Sequence, residues 1–148
     1  MRALLQRVSR AEVRVQGRPV GAIGRGLLVL LGVGHDDDEA TADGLARRIG
    51  ELRIFEDGEG RTNLSLLDVG GEVLVVSQFT LYADTSRGRR PGFTDAAAPD
   101  LAKPLWLRVA RSIEALGVRT ALGEFGSEME VELVNDGPFT IWLDTAER

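Results

Sequence analysis

Apolar and polar positions sort the first third of the chain into strands. From Val8 to Val15, and again from Val20 to Val33, apolar residues come in runs broken by Gly17, Pro19, Gly21, Gly24 and Gly26. That pattern predicts an antiparallel meander. Leu27-Leu28-Val29-Leu30-Leu31 is short and bounded by glycine, which favours a buried strand over a helix. Gly32-Val33-Gly34 closes it as a turn, and no Lys-Ser or Lys-Thr follows to make a phosphate loop. Asp36, Asp37, Asp38 and Glu39 then predict a helix N-terminus, where carboxylates accept from free N–H groups and meet the positive end of the dipole. Leu45, Ile49 and Leu52 keep helical spacing before a strand at Ile54-Phe55, and residues 56–60 form a turn.

Val73 to Phe79 is a second apolar strand whose end turns polar at Ser77, Gln78 and, just beyond, Thr80. Polar groups at the end of a buried strand must be hydrogen-bonded or serve a site. A basic loop spans 87–93. A second helix lies between Pro99 and Gly117, with Leu101, Leu105, Val109, Ile113 and Leu116 along one stripe. Pro104 requires either that this helix begin near Lys103 or that it kink. Near the C-terminus Met129, Val131 and Leu133 alternate with glutamates, Asn135 to Pro138 supplies a turn, and Phe139 to Leu143 returns as the second arm of a hairpin. The class is α+β: a mostly antiparallel sheet system with two main helices.

Composition narrows the picture further. The 148 residues suit one compact domain, 1–148, and 43% hydrophobic with 28% charged residues is a globular balance. The absence of cysteine excludes disulfides, thiol catalysis and thiolate metal sites. A single histidine, His35, removes multi-histidine metal clusters and is expected on an exposed loop. No run approaches the roughly 18 apolar residues of a membrane span, and the arginine-rich opening has no signal-peptide core. A cytoplasmic protein is expected. The net charge of −5 argues against nucleic-acid binding by bulk electrostatics but leaves room for a local basic patch.

Catalytic side chains are sparse: there is no GxSxG, no HExxH, and no set of nucleophile, histidine and acid. Chemistry must then come from hydroxyls, amides or backbone groups, which suits electrostatic stabilisation better than proton shuttling. Three segments are candidates: Ser77 to Thr80, the arginine loop, and Asn135 to Thr140.

Ser77-Gln78-Phe79-Thr80-Leu81-Tyr82-Ala83-Asp84 and Asn135-Asp136-Gly137-Pro138-Phe139-Thr140 resemble the two signature motifs of the D-aminoacyl-tRNA deacylases. Residues 1–13, 26–33, 53–60 and 124–134 fall in family-like order as well, so the resemblance covers nearly the whole chain. It implies a β-barrel-like α+β domain working as a homodimer on the acceptor end of tRNA, without cofactor or metal. Gly137-Pro138 matches the family's Gly-cis-Pro motif, which enters the partner subunit's pocket. There it captures the substrate's α-ammonium and rejects L-residues by collision; glycine, lacking a side chain, escapes rejection. Thr80 and Phe93 are the implied catalytic positions, through backbone N–H groups at the oxyanion, with the tRNA ribose 2′-hydroxyl central to water activation. Ser77 and Gln78 join Thr80 in shaping an adenosine pocket. The resemblance also gives Arg87, Arg89 and Arg90 a task as phosphate contacts. Gly92, Ser127-Glu128 and Phe139 depart from the serine, Ala-Asp and valine usual at those positions. A rival reading is an RNA-binding module of the same fold without turnover.

Overall fold

The computed structural model describes residues 1–147. Among these residues eight strands and three helices follow one another as β1 (Arg2–Val15), β2 (Arg18–Ile23), β3 (Gly26–Gly32), α1 (Glu39–Glu51), β4 (Arg53–Glu56), β5 (Thr62–Ser65), α2 (Leu66–Val69), β6 (Glu72–Ser77), α3 (Pro99–Ala115), β7 (Thr120–Leu122) and β8 (Glu130–Asp144). A 3-10 turn, Phe79–Tyr82, follows β6. The fold is α+β, with a strongly curled sheet and two long helices.

The long β1 organises the sheet. One of its edges pairs first with β3 and then with β2, while β8 runs antiparallel along the other. The expected meander is therefore corrected: β2 and β3 pair successive stretches of β1 rather than each other, because β1 is long enough to serve both. Beyond β3 the sheet turns parallel, with β6 beside β3 and β7 beside β6. The apolar runs of β3 and β6 follow from this, since central parallel strands are buried on both faces. Leu27, Val29, Leu31, Val73 and Val75 face the helices, whereas Leu28, Leu74 and Val76 face a second core inside the curl. Gly21 closes that curl: a Cβ there would collide with the Leu122 carbonyl of β7.

Both long helices cover the outer core. The α1 N-cap is Asp38, whose Oδ1 accepts from the Thr41 N–H and hydroxyl at 2.8 Å each. Those bonds hold its carboxyl below the ordinary range. Asp37 instead accepts from the Gly34 N–H and from the Met1 ammonium, both at 2.7 Å. The acidic run thus completes local structure. Helix α3 begins at Pro99 and continues through Pro104, so neither a late start at Lys103 nor a break is needed. Leu105, Val109 and Ile113 are buried as the stripe requires, but Leu101 and Leu116 at its ends are exposed. No helix among the described residues is long and apolar enough to cross a membrane.

Two further expectations need correction. Gly32 and Gly34 do not form a positive-φ turn. They make room instead: a Cβ on Gly34 would lie 2.9 Å from the Tyr82 hydroxyl, and one on Gly32 3.0 Å from the Gln78 carbonyl oxygen. The C-terminal hairpin is also absent. β8 is one strand, pairing Arg14 with Glu130 at one end and Arg2 with Asp144 at the other. Asn135 to Thr140 is an outward bulge on it, because Gln6 pairs with Thr140 and Val8 with Asn135. β1 was already present as a partner for both halves, so the chain had no need to fold back on itself.

Candidate functional site

The parallel strands β3 and β6 end side by side, with Leu31 opposite Ser77. The chain leaves both at the same edge, and the Gln78 N–H donates to the Leu31 carbonyl at 2.7 Å. Beyond these ends lies a cavity of about 420 Å³. Ser77, Gln78 and Phe79 line one side, Phe93, Ala96 and Ala97 another, and Ala102 and Trp106 of α3 a third. Among the described residues no charged side chain lines it; the polar side chains are Ser77, Gln78 and the Trp106 indole. Trp106 packs against Phe125 at 5.6 Å, and its Nε1 is buried without a hydrogen-bond partner among the described residues.

The rim is aromatic. Phe79 and Phe93 meet edge to face at 5.1 Å although they are 57% and 38% exposed. Exposure of two large apolar rings beside a cavity is what a ligand-binding mouth requires. Several contacts fix that rim. The Gln78 amide donates to the Thr80 hydroxyl. Arg2 donates to the Leu81 carbonyl at 2.9 Å and to Asp144 at 3.1 Å, with its guanidinium 4.4 Å from the Tyr82 ring centre. Burial, with the charges of Asp37 and Asp144, pushes the Tyr82 phenol above its ordinary range. On the opposite side the His35 Nε2–H donates to the Thr94 carbonyl at 2.5 Å, and Ala97 donates to the Val33 carbonyl at 2.9 Å. His35 is exposed, as expected, yet it straps the segment that carries Phe93.

Gly137 and Pro138 lie elsewhere, exposed at the tip of the β8 bulge and joined by a cis peptide bond. Asn135 closes the bulge, accepting from the Phe139 N–H at 2.6 Å and donating to the Thr140 hydroxyl at 3.0 Å. Arg7 supports it from below. This arginine is only 6% exposed, and it donates to the Asp136 carbonyl at 3.0 Å and the Ile54 carbonyl at 2.7 Å. Its guanidinium also lies 4.5 Å from the Phe139 ring centre. Of the residues singled out by sequence, the fold brings Ser77, Gln78 and Phe93 to the cavity and holds Thr80 beside Gln78. Gly137 and Pro138 are not among the cavity's lining residues. The reading missed Arg2 and Arg7. Arg7 left a signal, since it follows Ala3 and Leu5 on the inward-facing register of β1.

Fold and cavity define a small α+β protein that can enclose a flat, uncharged group at the ends of two parallel strands and that presents a rigid backbone tip elsewhere. The family model described as D-Tyr-tRNA(Tyr) deacylase matches residues 4–144. A D-aminoacyl-tRNA deacylase from Roseiflexus castenholzii is 62% identical over 146 residues, covering 99% of this chain and 93% of that protein. Another from Thermomicrobium roseum is 60% identical over 147 residues, covering 99% and 96%. A solved structure described as a c-Myc DNA Unwinding Element Binding Protein superposes with a TM-score of 0.91 at 38% identity, covering 97% of this chain and 98% of that one. The chain belongs to the D-Tyr-tRNA(Tyr) deacylase family.

Proposed function

We propose that the protein hydrolyses the ester linking a D-amino acid to the terminal adenosine of a tRNA, releasing free tRNA and the D-amino acid in the cytoplasm. The observation that carries this reading is the cavity beside Ser77 and Gln78: apolar, without a charged lining residue among the described residues, and gated by Phe79 and Phe93. Such a space suits a purine base and repels a phosphate. With the adenosine seated there, its ester lies near the Phe79–Tyr82 turn and the Phe93 segment. Backbone N–H groups of Thr80 and Phe93 serve the developing oxyanion, and the ribose 2′-hydroxyl takes part in activating water. Ser77, Gln78 and Thr80 orient the nucleoside.

The stereochemical filter comes from a second copy of the chain. Gly137 and Pro138 stand exposed on a bulge of β8, whose outer edge also exposes Val134 and Trp142. In a homodimer the tip enters the partner's site, where its carbonyls take the substrate's α-ammonium and its backbone leaves no space for an L side chain. Glycine presents nothing to collide, so glycyl-tRNA mischarged on tRNA(Ala) is cleaved too.

The test compares D-tyrosyl-, L-tyrosyl- and glycyl-tRNA at equal enzyme concentration. Release of tyrosine from the D-ester and of glycine, with the L-ester intact, is the expected outcome. Binding of all three without release of any would instead make the protein an RNA-binding module.

A further inference from the structure

The loop between Asp84 and Gly92 stands beside the cavity and has a charge pattern unlike the rest of the chain. Arg87, Arg89 and Arg90 are all exposed, and none is within ion-pair distance of a carboxylate among the described residues. Eight other arginines are so paired. Arg18, Arg25, Arg47, Arg48 and Arg53 also lack an ion pair among the described residues, but only in this loop do three unpaired guanidinium groups fall within four residues, in a protein of net charge −5. Between Asp84 and Asp95 the chain carries no acid. Asp84 itself is occupied, accepting from the Ser86 N–H at 2.9 Å, and its carboxyl is held below the ordinary range by Ser86.

The base of the loop is fixed although its tip is free. Asp84 and Gly92 exchange two backbone hydrogen bonds of 2.7 and 2.9 Å. The next residue, Phe93, is the cavity wall that packs on Phe79. Gly88 turns the tip with φ +66°, and a Cβ there would meet nothing within 4 Å. Arg89 lies three residue steps before Gly92, a reach of at most about 10 Å before the side chain is added. The arginines thus sit within a few nucleotides' distance of whatever occupies the cavity.

We propose that this loop is an arm that grips backbone phosphates of the tRNA acceptor end while the terminal adenosine occupies the cavity. The proposal rests on the deacylase reading above. It assigns the two halves of one ligand to two chemistries, the uncharged base to a neutral cavity and the phosphates to a cationic arm. Arginine suits the task because its planar fork donates two parallel hydrogen bonds to a phosphate. Contacts of this kind position the substrate without reading its sequence.

The experiment uses the triple variant Arg87→Gln, Arg89→Gln, Arg90→Gln and two substrates, D-tyrosyl-tRNA and 3′-O-(D-tyrosyl)adenosine, the second having no acceptor-stem phosphates. The ratio of kcat/KM on tRNA to kcat/KM on the adenosine ester is expected to fall roughly tenfold or more, through KM on the tRNA. The slope of log kcat/KM against log salt for the tRNA should become shallower by about 2. The triple Arg→Lys variant, which keeps the charge, should recover most of the loss. An unchanged ratio and salt slope in the glutamine variant would overturn the arm and leave the deacylase reading standing. A wild-type protein that cleaves neither ester would overturn both.

Discussion

The cavity and the β8 tip are finished in opposite ways. The cavity is concave, walled by four separate stretches of chain, and needs nothing from outside to exist as a space. The tip is convex: Asn135 and Arg7 use their polar groups to hold Gly137 and Pro138 out in solvent, and none of the described residues covers them. A chain that spends a buried arginine on supporting an exposed turn is building one half of a contact. Concave and convex halves in separate places on one chain make sense when a second copy brings them together, which is why the proposed active unit is a dimer.

Removing the support of the tip should have the largest effect. Arg7 is buried, and its guanidinium satisfies the carbonyls of both Ile54 and Asp136. Arg7→Met leaves those carbonyls without a donor and should cost roughly 2–4 kcal/mol in a urea melt. Release from D-tyrosyl-tRNA should fall with it, and rejection of the L-ester should weaken. A variant of wild-type stability and selectivity would show that the bulge holds its shape by itself.

Gly137→Ala acts on the tip alone. Gly137 has φ +140°, and an added Cβ would lie 3.0 Å from the Phe139 nitrogen and 3.2 Å from an Arg7 nitrogen. Stability should drop by only about 1–2 kcal/mol because the bulge is exposed. Activity on the D-ester should fall roughly tenfold or more, since a rigid backbone contact tolerates little displacement. Comparable activity would separate the tip from the chemistry.

On the concave side, Ala102→Leu fills part of the cavity from a helical position where leucine is a good helix former. The cavity reading predicts a KM for tRNA raised roughly tenfold with kcat little changed and the melting curve kept. If KM stays the same, the adenosine is bound elsewhere. This variant and Gly137→Ala, made in separate chains and mixed, sharpen the comparison further. A dimer carrying each defect on a different copy should retain one intact site.

These two regions were not equally legible in the sequence. The cavity wall announced itself, because an apolar strand ending in Ser77-Gln78 is a chemical anomaly wherever the strand packs. The resemblance put Phe93 at the site, but periodicity alone could place neither it nor the α3 residues there, since pairing them with Ser77 depends on two crossovers that periodicity does not encode. The tip was visible as turn chemistry, but its setting was misjudged. Asn-Asp-Gly-Pro suits a hairpin, and only the length of β1 decides that the flanking segments stay in line as one strand. Arg7 was hidden for a related reason. An arginine on the inward register of a strand is noticed only once the register is known, and β1 was expected to start at Val8. The glycines at 32 and 34 looked like a turn, whereas they are small because Tyr82 lies against them.

The smallest effect is expected at Thr80, and it addresses whether the concave side supplies a reacting side chain at all. The Thr80 hydroxyl is exposed, its partner is the Gln78 amide, and no histidine or carboxylate among the described residues hydrogen-bonds to it. A threonine hydroxyl without a base beside it is a weak nucleophile. Thr80→Ala should therefore keep turnover on D-tyrosyl-tRNA within about fivefold of wild type, the loss reflecting a freer Gln78. Valine at the same position, which keeps the branched shape and removes the hydroxyl, should behave alike. Abolition of turnover in both variants, with tRNA affinity retained, would mean that the hydroxyl attacks the ester. The concave half would then be a catalyst in its own right rather than a cradle for backbone donors and the substrate's own 2′-hydroxyl.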